Sequence, residues 1–155
     1  MNENEELIAR FYGALQNADI DTVRSCYSPD VVFSDPVFRS LHGERAIAMW
    51  EMFFKRDEKI RVTFSDITAD DSGGSGQWVA DYTIGSRAVH NVIRSTFRIE
   101  DGRIVRHQDD FNVRVWAAQA LGPLGALTGW APPVKAVLHK RSAAMLDSFL
   151  NRRGD

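Results

Sequence analysis

The chain lacks the features that mark several classes of protein. It has one cysteine in 155 residues, Cys26, so no internal disulfide can staple it. A reducing cytoplasm is therefore the expected setting. No apolar run approaches the ~20 residues that a membrane-spanning helix needs. The first residues, MNENEELIARF, are acidic and amphipathic, unlike a secretory leader. The formal net charge is only -2 and the arginines are scattered, so no strong field favours nucleic acid or an anionic membrane. There is no Cys/His cluster with zinc spacing, no GxSxG elbow, no P-loop and no GxGxxG. What is present is the 44% hydrophobic, 26% charged composition of an ordinary globular protein, with length for one domain over residues 1–155.

Leu7, Ile8, Phe11, Tyr12 and Leu15 recur at helical spacing and predict an amphipathic helix over about residues 4–16. Asp19 suits the N-cap of a short second helix carrying Ile20, Val23 and Tyr27. SPD at 28–30 reads as a turn, and VVFSD as a strand with Val31, Phe33 and Asp35 on one face. Ala46, Met49, Trp50 and Phe53 mark a third helix. The period then changes from 3.6 to 2. Strands are expected at RVTFSDITA, QWVADYTIG, HNVIRSTFRIE and RIVRHQDDFNVRVW, with DDSGGSG (70–76) as a flexible connector and Asp101-Gly102 as a hairpin. VKAVLHKRSAAMLDSFLNRR reads as a last helix with a stripe of Val134, Val137, Leu138, Met145, Leu146 and Phe149. The order implies an α+β plan, with helices packed on one face of a curved antiparallel sheet.

Two segments place ionisable groups among apolar ones. FSDPVF carries Asp35 between Phe33 and Phe38, either as a bend before Pro36 turned to water or as a carboxylate in an apolar hollow. In VRHQDDF, alternation puts Val105, His107, Asp109, Phe111 and Val113 on one face, and Ile104, Arg106, Gln108 and Asp110 on the other. The first face should look inward. His107 and Asp109 would then be about 6.5–7 Å apart between alpha carbons. His107 could equally be a structural histidine donating to Asp109. Arg94 fits a pocket lip or an outer-face ion pair. His42, His90 and His139 suit exposed or rim positions. Cys26 reads as a small buried residue.

At this point the chain resembles a known family. LIARFYGALQNADIDTVRSCYSPDVVFSDP, the helix ERAIAMWEMFF and FRIEDGRIVRHQDDF are similar, in that order, to the NTF2-like superfamily and closest to its SnoaL-like members, over about residues 5–115. The superfamily includes ketosteroid isomerase, scytalone dehydratase, limonene epoxide hydrolase and polyketide cyclases. The resemblance implies a cone of curved sheet around a long helix, a pocket opening into the cone, and dimerisation through the outer sheet face. Asp35 matches the general base of ketosteroid isomerase, an enzyme that runs acid–base chemistry on carboxyls tuned by their surroundings. That enzyme's oxyanion hole does not carry over: the first-helix tyrosine falls at Phe11, one residue from Tyr12, and the strand aspartate falls near Arg94 or Ser95.

The resulting expectation is a cofactor-free acid–base enzyme of isomerase, cyclase, dehydratase or epoxide hydrolase type, acting on a small apolar molecule. Asp35, His107 and Asp109 would be catalytic. Phe11, Tyr12, Phe33, Trp50, Phe53, Tyr82 and Phe111 would wall the pocket. No metal is expected, although a histidine with two carboxylates is a possible ligand set. The alternative is a non-catalytic, dimeric ligand- or partner-binding module, because fold does not settle function. Residues 116–155, with Trp130 as lid or interface anchor, would cover the cone mouth or a second copy. Deleting residues from 131 on is expected to lower the melting temperature or change the solution mass; thermal melting and light scattering would check this, and a truncated chain unchanged in both would refute it.

Overall fold

The structure, a computed structural model, describes residues 1–55, 60–122 and 132–153, the side chains of 132–139 and 153 excepted. Helix α1 spans Glu3–Asn17; Asn2 caps it by accepting from Glu5 N, and Ala18 ends it in the left-handed region. Its apolar stripe is buried as the spacing predicts. Asp19 caps α2 (Ile20–Cys26), accepting from Thr22 N at 3.1 Å. Strand β1 (Tyr27–Ser34) follows directly, then the short β2 (Leu41–His42) and α3 (Glu44–Phe54). Strands β3 (Arg61–Ala69), β4 (Gly73–Ile84), β5 (Arg87–Glu100) and β6 (Arg103–Asp110) complete a curved, unclosed sheet of order β2-β1-β6-β5-β4-β3. Helices α4 (Val113–Leu121) and α5 (Pro132–Arg153) end the chain. The helices cover the concave face, where Phe11, Tyr12, Trp50, Trp78 and Phe97 form the core.

The sheet is mixed. Consecutive strands β3 to β6 pair antiparallel, whereas β1 pairs parallel with β6. A parallel neighbour requires a long crossover, and α3 with β3–β5 supplies it.

The local reading needs four corrections. Residues 28–30 are strand rather than turn, although the β1–β6 ladder lapses between Tyr27 and Val32. Pro29 lies in that lapse and has no N–H to give to a ladder. Residues 73–76 are not a connector but the start of β4, whose glycines leave no room for a side chain: a Cβ at Gly73 would lie 2.1 Å from the Phe97 carbonyl oxygen and one at Gly76 2.7 Å from Tyr12 Oη. On β6 a register shift opposite Arg98/Ile99 leaves Val105 as the extra residue, so Ile104 points inward together with His107. Beyond Asp110 the alternating NVRVW is helix rather than strand. Asn112 accepts from Val115 N at 3.1 Å and starts α4, and the alanines that follow favour a helix.

On α5, Leu146 is buried and Arg45 pairs with Asp147 at 2.6 Å, tying this helix to α3. Met145, expected on the apolar stripe, is 57% exposed. Val134, Val137, Leu138 and His139 fall where side chains are not described, and Trp130 lies outside the described residues. No described helix is long and apolar enough to cross a membrane. Gly73→Ala is expected to cost about 1–3 kcal/mol in urea unfolding, since the new methyl meets backbone and not a side chain that can turn away; an unchanged midpoint would show that β4 can shift.

Candidate active site

The parallel pairing brings the two aspartates together. Phe33 pairs with His107 and Ser34 with Gln108, so the next residues, Asp35 and Asp109, continue side by side at the same end of the sheet. Here β1 stops and Pro36 turns the chain. Asp35 makes the turn itself: its N–H donates to the Phe38 carbonyl at 2.9 Å, and its Oδ1 accepts from Val37 N at 2.7 Å and Phe38 N at 2.6 Å. Its Oδ2 has no hydrogen-bond partner among the described residues. The side chain is half-buried rather than fully in water. Burial pushes its pKa up to about 7; the two backbone N–H groups oppose the rise, and the charge of Asp109 adds to it.

Asp109 is held from three sides. Its Oδ1 accepts from Ser95 Oγ at 2.6 Å and faces His107 Nε2 at 2.7 Å, and its Oδ2 accepts from Trp78 Nε1 at 3.3 Å. The other nitrogen of His107, Nδ1, lies 2.7 Å from Tyr27 Oη, which accepts from Trp50 Nε1 at 3.0 Å. An indole only donates, so the Tyr27 oxygen accepts from Trp50 and its one proton goes to His107 Nδ1. That makes Nδ1 an acceptor and Nε2 the N–H that donates to Asp109. The imidazole is fully buried, stacked on Phe97 at 4.5 Å between centroids and edge-on to Phe11 and Phe33. Its tautomer and orientation are fixed, and neither nitrogen is open.

A cavity of about 400 Å³ opens at this end. Residues 34–36 form one wall and residues 108–114 the other, so Asp35 and Asp109 line one space. Of the expected wall residues, Phe111 lines it. Phe11, Tyr12, Phe33 and Trp50 are buried in the core behind it. Phe53 packs edge-on against Trp50 and Trp78, and Tyr82 Oη accepts from Trp116 Nε1 at 2.8 Å. Arg94 is on the outer face, donating to Gln77 at 3.3 Å. His42 and His90 are exposed, His90 beside Asp81 at 2.6 Å. Cys26 is buried, which pushes its thiol pKa up. Among the described residues no group of three or more His, Cys, Asp or Glu side chains could hold a metal ion.

Sequence reasoning overlooked Tyr27, Trp78 and Ser95 as members of the network. The alternation does put Trp78 and Ser95 on inward faces. Nothing local distinguishes Tyr27, which closes α2 and opens β1.

A model of the SnoaL-like domain matches residues 8–107. The chain belongs to the SnoaL-like family. Epoxide hydrolase EphG of Mycobacterium tuberculosis is 29% identical over 131 residues, covering 84% of this chain and 87% of that protein. A solved LEH-like epoxide hydrolase from M. tuberculosis superposes with a TM-score of 0.67 at 28% identity, over 81% of this chain and 94% of that one. IdmH of Streptomyces antibioticus, named as a candidate polyketide cyclase, gives a TM-score of 0.66 at 22% identity, over 76% and 98% of the two chains, and shows the fold. The expected NTF2-like cone is thus present in this SnoaL-like protein.

Tyr27→Phe is expected to destabilise the protein by at least about 2 kcal/mol, because it orphans two buried groups, His107 Nδ1 and Trp50 Nε1, at about 1–3 kcal/mol each. Denaturant unfolding measures this; a loss below about 0.5 kcal/mol would mean that the two groups find other partners.

Proposed function

We propose that this SnoaL-like protein is a cofactor-independent acid–base enzyme that acts on a small, mostly apolar molecule, with Asp35 as the base. The observation that carries this reading is the sharing of one cavity by Asp35 and Asp109. A carboxyl near pKa 7 can take a proton and return it at neutral pH. Asp109 accepts from three donors and serves as the fixed neighbouring charge that adds to the rise at Asp35. His107, with both nitrogens engaged and no exposure, acts by holding Asp109 in place and not by touching substrate.

Epoxide hydrolysis is the first reaction to test, on the strength of the EphG likeness. Asp35 Oδ2 would accept a proton from water as the water oxygen bonds to an epoxide carbon. The carbon–oxygen bond of the ring breaks, and the proton held by Asp35 goes to the released alkoxide, giving a diol. Proton abstraction beside a carbonyl would use the same base. A second reading, a ligand-binding module without turnover, is favoured by one observation. The interior behind the cavity is filled by Phe11, Phe33 and Trp50, which leaves the site at the rim.

Turnover of a panel of apolar epoxides and enolisable ketones should rise between pH 6 and pH 8, as the ionised fraction of Asp35 goes from roughly a tenth to roughly nine-tenths. Asp35→Asn should lower the rate at least about 100-fold and abolish this limb. Binding that persists with no turnover in either protein would select the module. Stability supplies a second check. The folded pKa of Asp35 is raised, so its relative stabilisation is complete below the unfolded pKa near 4 and is lost as pH rises through about 7. The melting temperature of Asp35→Asn should therefore gain on that of wild type between pH 5 and pH 8. A constant difference would place the carboxyl in water.

A further inference from the structure

Asn91 is out of keeping with its surroundings. The inward residues of β5 are Val89, Asn91, Ile93, Ser95 and Phe97, and Asn91 is 8% exposed. Val89 and Ile93 beside it are apolar and buried, and Ala80 pairs with it from β4. No hydrogen bond among the described residues engages its amide, and neither of its polar atoms is wholly sealed. The polar end therefore keeps part of the residue's small exposure. Ser95, on the same face, is answered by Asp109 at 2.6 Å. A nearly buried amide that no group answers lowers stability, so valine or leucine would serve packing better at this position.

A path of aromatic side chains joins this amide to the catalytic cavity. Ser95 pairs with Asp109, and from there β5 leads back to Asn91 as β6 leads on to Phe111. Phe111 lines the cavity with Asp35, and its ring is 6.4 Å from that of Trp116 on α4. Trp116 in turn donates to Tyr82 Oη at 2.8 Å. Tyr82 pairs with Val89, one inward position from the pair of Ala80 with Asn91. Helix α4 packs along β5 here, and the side chains it buries are small, Ala117 and Ala120. Polar ties hold it down on either side of Asn91: Arg87 donates to the carbonyls of Ala118 and Gln119, and Gln119 Oε1 accepts from His90 N. Asn91 therefore lies beneath α4, four strand residues or about 13 Å along the sheet from Ser95 and Asp109.

We propose that Asn91 is a substrate-binding residue that selects an elongate molecule with an uncharged hydrogen-bonding group, a carbonyl or hydroxyl, at the end remote from the reacting atom. The inference rests on the reading of Asp35 as the base, since that fixes the reacting end. The reacting carbon sits at Asp35, the apolar body lies along Phe111 and Trp116, and the far group meets the Asn91 amide. An amide both donates and accepts, so it answers a carbonyl or a hydroxyl alike, and it has no charge to offer a carboxylate or an ammonium. A far group bound there satisfies an amide that the folded chain leaves open. A molecule with a methyl in that place shuts the amide in unpaired and is disfavoured.

Long-chain terminal epoxides that differ only at the far end, as methyl, hydroxyl or carboxylate, test this together with the matching ketones. The hydroxyl end should lower KM about tenfold relative to methyl with kcat unchanged, the worth of one hydrogen bond. The carboxylate end should gain nothing over methyl. Asn91→Leu, of nearly the same shape, should erase the difference between hydroxyl and methyl. A wild type that treats those two ends alike overturns the proposal, as does a preference that survives in Asn91→Leu. Where that variant does not fold, or nothing is turned over, the side-chain amide of Asn91 followed by heteronuclear NMR in the wild type decides. Its resonances should shift with the hydroxyl-ended compound and far less with the methyl-ended one. Bound compound that leaves them unmoved overturns the proposal even where Asp35→Asn proves Asp35 to be the base. Resonances that respond without turnover uphold it, an outcome that counts against the proposed reaction alone. No binding by any member overturns both readings.

Discussion

The parallel pairing of β1 with β6 is the constraint on which the site depends. Were β1 paired antiparallel, its C-terminal end would lie at the opposite end of β6 and Asp35 would be far from Asp109. The pairing sets the two carboxylates at one rim, over one cavity. It also sets Phe33 edge-on against His107 at 5.0 Å, so the residue two before Asp35 seals the residue two before Asp109. Proximity and partial desolvation then act in the same direction on Asp35, and only its own turn, through the N–H groups of Val37 and Phe38, acts against them.

Behind the rim, polar atoms survive in an aromatic interior because each is answered. The chain from Trp50 through Tyr27 and His107 to Asp109 alternates donor and acceptor without a gap, and Ser95 and Trp78 complete it. Such a network is stable only when whole, since an unpaired group in low dielectric costs more than one bond returns. It therefore fixes Asp109 while Asp35, at the edge, keeps one oxygen without a hydrogen-bond partner among the described residues. The division suits acid–base chemistry: one carboxylate immobile and solvated by protein, the other near neutrality and open to the cavity. Tyr12 stands beside this network, its Oη over Gly76, the strand neighbour of Ser95.

Much of this was legible in the chain itself. The apolar spacing of α1 and α3, the Asp19 cap, the inward face of β5 and the inward pair His107 and Asp109 were all readable, because each depends on periodicity within one element. The errors came where local pattern was ambiguous or irrelevant. NVRVW alternates like a strand but follows an N-cap asparagine. Gly73, Gly74 and Gly76 look like a linker until the Phe97 carbonyl, Ile8 and Tyr12 are seen pressed against them in turn. A single bulged residue, Val105, turned Ile104 inward against the alternation.

The choice at FSDPVF between a bend and a carboxylate facing a hollow proved to be a false alternative. Asp35 makes the bend with Oδ1 and still lines the cavity, because a carboxylate has two oxygens and the turn needs one. By itself, the sequence determined which residues turn inward along a strand and which helices have a face to bury, since these follow from the geometry of a single element. Only the tertiary structure decided that Asp35 meets Asp109, that Tyr27 closes the histidine's hydrogen bonds, and that Tyr12 stands over Gly76. Those contacts join elements dozens of residues apart, and strand order and register, which no local period encodes, set them.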